Sequence, residues 1–286
     1  MNGKKKSGGV FLAAPMILWT LIFVGCTIVY IVVLSLLTRN PDGDGVILRF
    51  SLDSYAKLLK PSFLKVFLRT LRLGFETTLL CVLIGYPFGY FMAKTKGKMR
   101  SFLLLLVIVP FWTNALVRIY GWRTILQGMS PISSALMSIG LIDEPIRWMN
   151  TYGAVLLGMV YGLLPFMILP VYTSAEKLDP ALSAAARDLG SGPVKTFFTV
   201  ELPLTLPGLL SGCVLVFVPS LALFFISDLL GGIDDILIGN LVRDELLQSH
   251  DWPFAAALSV VLLALTAVVM LVYRKISGKK GGMDLF

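Results

Sequence analysis

Charge is scarce in this sequence. Asp, Glu, Lys and Arg supply 15% of its 286 residues and hydrophobic residues 56%, against roughly 25% and 45–50% in soluble domains. A soluble fold of that composition could not clothe itself in polar groups, so much of the surface must face lipid. Disorder, a collagen repeat and a disulfide scaffold are excluded on the same ground. Histidine is nearly absent: His250 stands alone, which rules out a histidine-rich zinc site, and HExxH does not occur. The three cysteines, Cys26, Cys81 and Cys213, lie in apolar runs without CxxC spacing and read as small buried hydrophobes. No GxxxxGK(S/T) is present, so the chain has no P-loop for ATP. No metal site, no cofactor and no nucleophile–base pair emerges, and an enzyme is the weakest reading.

What the sequence has is long apolar runs. Six stretches, near 11–37, 70–93, 101–121, 152–172, 205–228 and 254–273, are long enough for the about 20 helical residues that a bilayer core requires. Helix is the expected state, because lipid satisfies no backbone group and the alternation of a membrane barrel is missing. The first run is too long for a signal-peptide core of about 7–15 residues, so an uncleaved first span is expected. The basic residues sort to one side. The N-terminal tail with Lys4, Lys5 and Lys6, the 94–100 loop, the 173–204 loop and the C-terminal tail together carry a net +9, and the opposite loops a net −2. The positive-inside rule then makes both termini cytoplasmic. The overall +8 is a topology signal and needs no nucleic-acid partner. Prolines at 15, 87, 110, 165, 170, 207 and 219 punctuate the spans. They read either as ordinary kinks in a bundle or as bends around a water-filled pathway.

The cytoplasmic 173–204 loop is locally well specified. Asp179 suits an N-cap and Pro180 the first helical position, while Ala181 to Leu189 are mostly helix formers. Gly190 can take the left-handed conformation that ends a helix. Pro193 opens a second short helix, Val194 to Leu202, with Pro203 as the expected stop. Such an elbow, with Ala184, Ala185 and Ala186 on its surface, fits either a groove in another protein or the membrane interface.

The loop resembles the coupling motif of ABC-importer permeases: EAA, three residues, Gly, nine residues, then I-x-L-P. Ala185, Ala186, Gly190, Leu202 and Pro203 fall in register, Val200 takes the isoleucine position, and the leading glutamate is Ala184 here. The stretches VPFWTNALVRIYG (109–121), EKLDPALSAAARDLG (176–190) and the 31 residues from Ser227 to Ala257 are similar to the B-type permeases of spermidine/putrescine importers. The resemblance implies a single all-α transmembrane domain over 1–286 with the type I importer permease fold. It implies a non-catalytic half of an alternating-access pathway. A homologous C-type permease would complete the heterodimer, two ATPase subunits would hold ATP and Mg, and an external polyamine-binding protein would deliver substrate. The ATPase would dock on Ala184, Ala185, Ala186, Arg187, Asp188, Leu189 and Gly190.

A polyamine needs carboxylates, aromatic faces and apolar walls. Asp228 follows Phe224 and Phe225 in the fifth run and suits an ammonium, or else caps the turn at Gly231 and Gly232. Trp112, Asn114 and Tyr120 offer a second aromatic and amide group, with interface anchoring as the alternative for the aromatics. Asp234, Asp235, Asp244, Glu245 and Asp251 make the 228–251 loop acidic, a field for cations, a dock for the binding protein, or a solvated surface. Arg72 and Glu76 are four apart and expected to pair. A self-sufficient ion-coupled carrier would use that pair as its coupling site. Trp19, Trp148 and Trp252 read as packing or interface residues.

Overall fold

The computed structural model describes residues 14–40, 45–128, 131–140, 143, 145, 148–233 and 235–277. The lysines of the N-terminal tail, the first residues of the first expected span, Asp234 and the C-terminal tail lie outside the described residues.

The elements in chain order are α1 (Ala14–Ser35), β1 (Leu37–Arg39), β2 (Val46–Phe50), α2 (Asp53–Leu58) and α3 (Pro61–Lys94). Then come α4 (Gly97–Trp112), α5 (Ala115–Leu126), α6 (Pro131–Ser138), α7 (Tyr152–Glu176) and α8 (Pro180–Asp188). The last are α9 (Pro193–Ala222), α10 (Phe224–Leu230), α11 (Ile238–Leu247) and α12 (Trp252–Ser277). Four described helices, α1, α7, α9 and α12, are long and apolar enough to cross a membrane, and the bent pair α4–α5 makes a fifth. The expected 70–93 span lies inside α3, a 34-residue helix whose first half also carries Lys65, Arg69, Arg72 and Glu76.

Contacts divide the chain into two compact units, residues 1–64 with 241–264, and 65–240 with 265–286. In the first, the most apolar stretch of α1 buries nothing against the chain, the pattern of a helix that gives every side to lipid or to other subunits. Cys26 therefore faces outward, contrary to its expected burial. The β1–β2 hairpin, antiparallel with Leu37 opposite Phe50, is a departure from the expected all-helical chain. Asp251 anchors this unit: its buried carboxylate takes Lys57 Nζ at 2.8 Å, and its Oδ1 caps α12 at the Phe254 amide.

In the second unit α7 is the central helix, packed between α3 and α9 through small residues. Gly85 and Gly89 of α3 lie against Met167 and the Ile168 carbonyl; Gly208 and Gly212 of α9 lie against Pro170, Ser174 and Met167. Two small-xxx-small faces let three backbones approach closely, which is how membrane helices gain packing without a hydrophobic driving force between them. Buried Cys81, Leu163, Met167, Val171 and Val216 fill the layer.

Three expected helix boundaries are corrected. The 101–121 run is not one straight span: α4 ends in a 3-10 turn at Val109–Trp112 and α5 departs at 96°. The 205–228 run breaks at Leu223, whose ψ of 63° leaves the helical region. Pro203 does not stop a helix. A π-turn over Phe197–Glu201 precedes it and the helix continues through Pro203, the widened turn accommodating a residue that has no N–H to donate.

Candidate functional site

The first half of the 173–204 loop forms as its sequence dictates. Asp179 Oδ1 accepts from the Ala181 amide at 2.9 Å and Pro180 opens α8. At the other end Gly190 has φ +82°, its N–H bonds the Arg187 carbonyl, and the Ser191 N–H bonds the Ala186 carbonyl. These are the two bonds of a Schellman cap. No residue of α8 is buried. Ala184, Ala185, Arg187 and Asp188 are exposed and Ala186 half-buried. Leu189 is 89% exposed, and Leu182, Val194 and Phe198 are also open. An apolar knob on a rigid capped helix is what a groove in a partner would hold.

Two helix breaks lie further along the bundle. At the first, the Pro110 carbonyl accepts from the Thr113 amide and hydroxyl and from the Arg118 guanidinium. Arg118 also lies 4.7 Å over the Phe111 ring. At the second, the Leu223 amide bonds the Pro219 carbonyl at 3.0 Å and Asn240 Nδ2 takes the Phe224 carbonyl. The Pro110, Pro219 and Phe224 carbonyls each have a donor, as irregular backbone at membrane depth requires. Both breaks open on one cavity of about 380 Å³ lined by Phe111, Thr113, Arg118, Tyr161, Phe166 and Phe225. A second cavity of about 620 Å³, on the part of α7 that leads into the 173–204 loop, is lined by Thr173, Ser174, Lys177 and Ser211. Phe166 belongs to both walls and meets the Phe111 ring edge-on at 5.6 Å. Among the described lining residues of the two cavities, the charged ones are Arg118 and Lys177; no carboxylate is present.

Of the expected substrate residues, Phe225 lines the first cavity. Phe224 and Phe225 are half-buried, whereas Asp228 is exposed on α10 with its Oδ1 accepting from Asn240 Nδ2 at 2.6 Å. The turn at Gly232 is capped by Asp235 instead of Asp228. Asn114 spends its Oδ1 on the Leu116 amide as the N-cap of α5. Trp112 is 78% exposed at the end of the 3-10 turn, and Tyr120 is exposed with Arg123 over its ring. The cavity therefore gathers Phe111 and Thr113 from the PFWTN stretch, not Trp112 and Asn114. Tyr161, Phe166 and Arg118 were not expected there, although Pro165 beside Phe166 marked the bend.

In the acidic loop, Asp235 and Asp251 are buried and Asp244 pairs with Arg243, so these acids are held by protein. Arg72 and Glu76 pair at 2.7 Å, and Glu76 also accepts from Tyr152 Oη at 2.7 Å. A carboxylate fixed by two donors from two helices has the geometry of a clamp. Trp19 stacks on Phe23 and Trp148 is exposed.

Residues 85–280, from the middle of α3 through α12, match the family of binding-protein-dependent transport system inner membrane components. The chain belongs to that family. As an inner membrane component, it has the non-catalytic membrane role rather than an enzyme's. It is 45% identical over 259 residues to the spermidine/putrescine transport system permease protein PotB of Escherichia coli K12, covering 91% of this chain and 94% of that one. It is 43% identical to PotB of Haemophilus influenzae, over 89% of each chain, and 30% identical to the E. coli inner membrane ABC transporter permease protein YdcU, over 77% of this chain. Among solved structures, a bacterial ABC transporter that imports the acidic polysaccharide alginate superposes with TM-score 0.73 at 18% identity, over 97% and 99% of the two chains. The MetNI methionine transporter superposes at 0.59 and 14%, over 78% and 100%. The importer permease fold is therefore shared across widely diverged sequences.

Proposed function

We propose that this inner membrane component is one half of the translocation pathway of an ATP-driven polyamine importer. The observation that carries the reading is the capped α8 with its exposed Leu189 and Gly190, next to a bundle whose two helix breaks share one aromatic cavity. The similarity to spermidine/putrescine permeases supports the substrate class. Six crossings, by α1, α3, α4–α5, α7, α9–α10 and α12, are the reading of the six apolar runs, and the +9 and −2 division of charge supports cytoplasmic termini. A C-type permease completes the pathway, two ATPase subunits carrying ATP and Mg engage α8, and an external polyamine-binding protein delivers the cargo. Since both cavity walls are cationic or neutral here, the ammonium-binding carboxylates facing them belong to the partner permease. Aromatic rings of this chain then contribute the methylene and cation–π contacts.

Reconstitution into liposomes tests this. The chain alone, under an ion gradient, takes up no putrescine; the full complex with ATP and loaded binding protein does. Gradient-driven uptake by the chain alone would overturn the proposal in favour of an ion-coupled carrier.

A further inference from the structure

In sequence Glu201 is one acid among the basic residues of the cytoplasmic side. In the structure it is 4% exposed, at the end of the Phe197–Glu201 π-turn. A carboxylate tolerates such burial only when its oxygens are paired and hydrogen-bonded, and these are. Oε1 accepts from Lys94 Nζ at 3.0 Å and from Ser183 Oγ at 2.9 Å, and Oε2 accepts from Tyr90 Oη. Tyr86, Tyr90 and Lys94 follow one another at four-residue spacing down one stripe of α3. The stripe packs against the π-turn and the turn after it: Phe197 sits edge-on to both tyrosines and Tyr86 Oη bonds Thr205 Oγ1 at 2.8 Å, while Lys94 Nζ lies 4.4 Å over the Tyr90 ring. Thr205 Oγ1 in turn donates to the Glu201 carbonyl. Glu201 thus joins α3 and α9, and Ser183 brings α8 to the same carboxylate. The side chain at position 184, where the coupling motif has glutamate, is an alanine here. The carboxylate beside this helix comes instead from the far end of the loop.

We infer that Glu201 is a positioning residue for transport: it transmits displacement of α8 to α3 and α9, and so links ATPase movement to the pathway. The inference rests on the reading of α8 as the ATPase contact. Charge-assisted bonds are the stronger kind, and three of them converge on one buried group. A push on α8 therefore moves the carboxylate and both long helices with it. Without the Ser183 arm, α8 can rock on its own. The π-turn gives the joint a natural seat, since such widened turns mark places where a helix departs from regular bonding at functional positions.

The test uses the full complex in proteoliposomes, with putrescine taken up and ATP hydrolysed measured on the same vesicles. The variants are Ser183→Ala, which removes only the α8 arm, and Glu201→Gln, which keeps the shape but not the charge. Both should transport at least threefold fewer molecules per ATP than wild type, with Glu201→Asp in between. An unchanged ratio in complexes of full subunit composition overturns the inference. So does a loss confined to complex yield, in which uptake and hydrolysis fall together, since that is a purely structural role. If the wild-type complex hydrolyses ATP but takes up no polyamine, the functional reading fails and the joint is still testable. Amide exchange over 181–188 should then be about tenfold faster in Ser183→Ala, and equal exchange sinks the joint.

Discussion

Gly208 lies so close to Pro170 that a Cβ on it would stand 2.5 Å from the Pro170 carbonyl oxygen and 2.4 Å from Ser174 Cβ. The obstacle is backbone, on a helix that Gly85 and Gly89 hold from its other side, so it cannot swing away as a side-chain end would. Gly208→Ala should force α7 and α9 apart. Overpacking of this kind costs roughly 1–3 kcal/mol. Thermal unfolding of the detergent-solubilised protein should show a lower midpoint. Gly121→Ala, where nothing lies within 4 Å, is the control and should be neutral or slightly stabilising, by up to ~1 kcal/mol from helix propensity. Equal behaviour of the two variants contradicts the close-approach account.

At Gly190 the surroundings are open and the backbone alone is the constraint. A Cβ there meets nothing within 4 Å, but φ is +82°. Gly190→Val should therefore cost about 1–2 kcal/mol through the left-handed conformation, and the relief is a displaced α8–α9 elbow. Gly190→Asn, which tolerates that region better, should be milder. ATP hydrolysis stimulated by loaded binding protein is the measurement: it should drop severalfold in Gly190→Val while the permease still inserts. Normal stimulation would mean that α8 does not couple.

Much of the 173–204 loop was legible because its determinants are local: Asp179, Pro180 and Gly190 act within one or two turns of themselves. The Arg72–Glu76 pair was legible for the same reason, and Tyr152, which completes it, was not, being 76 residues away. Proline positions marked Pro110 and Pro219 as irregular but not how irregular. A 96° turn at Trp112 requires Arg118 and Thr113 to take the Pro110 carbonyl, and those partners are specified by three-dimensional packing. Pro203 misled because a proline that ordinarily stops a helix is accommodated here by the π-turn before it, a feature without a local sequence signal. Asn114 was expected to be available for substrate, yet its position one residue before a helix was the N-cap signal.

Phe166 stands in the wall of both cavities, with its ring edge against Phe111. If polyamine passes between the cavities, it passes this ring. The ring is 40% exposed, and a cation–π contact at an exposed site is worth about 0.5–1 kcal/mol, so Phe166→Ala should lower polyamine uptake by roughly two- to fivefold. Phe166→Tyr keeps the aromatic face and should retain most of the activity. The comparison is made at subsaturating substrate and equal complex abundance. Loss in both variants would point to packing and not to the ring face.

Asp228 tests whether an exposed carboxylate of this chain helps to draw in a cationic substrate. It is exposed, and Asn240 Nδ2 orients one of its oxygens at 2.6 Å. An exposed carboxylate attracts an ammonium through water, so its contribution should be on the order of 1 kcal/mol, about fivefold in rate, in place of the larger effect of a buried contact. The effect should also be screened, because the Debye length shrinks from about 10 Å at 0.1 M salt to about 3 Å at 1 M. Asp228→Asn keeps size and can still accept from Asn240. Polyamine uptake by this variant should fall about fivefold at low ionic strength and approach wild type at high salt, with assembly unchanged. A loss of equal size at both salt concentrations would mean that the carboxylate acts by direct contact or by folding α10, and no loss at either would remove Asp228 from the pathway.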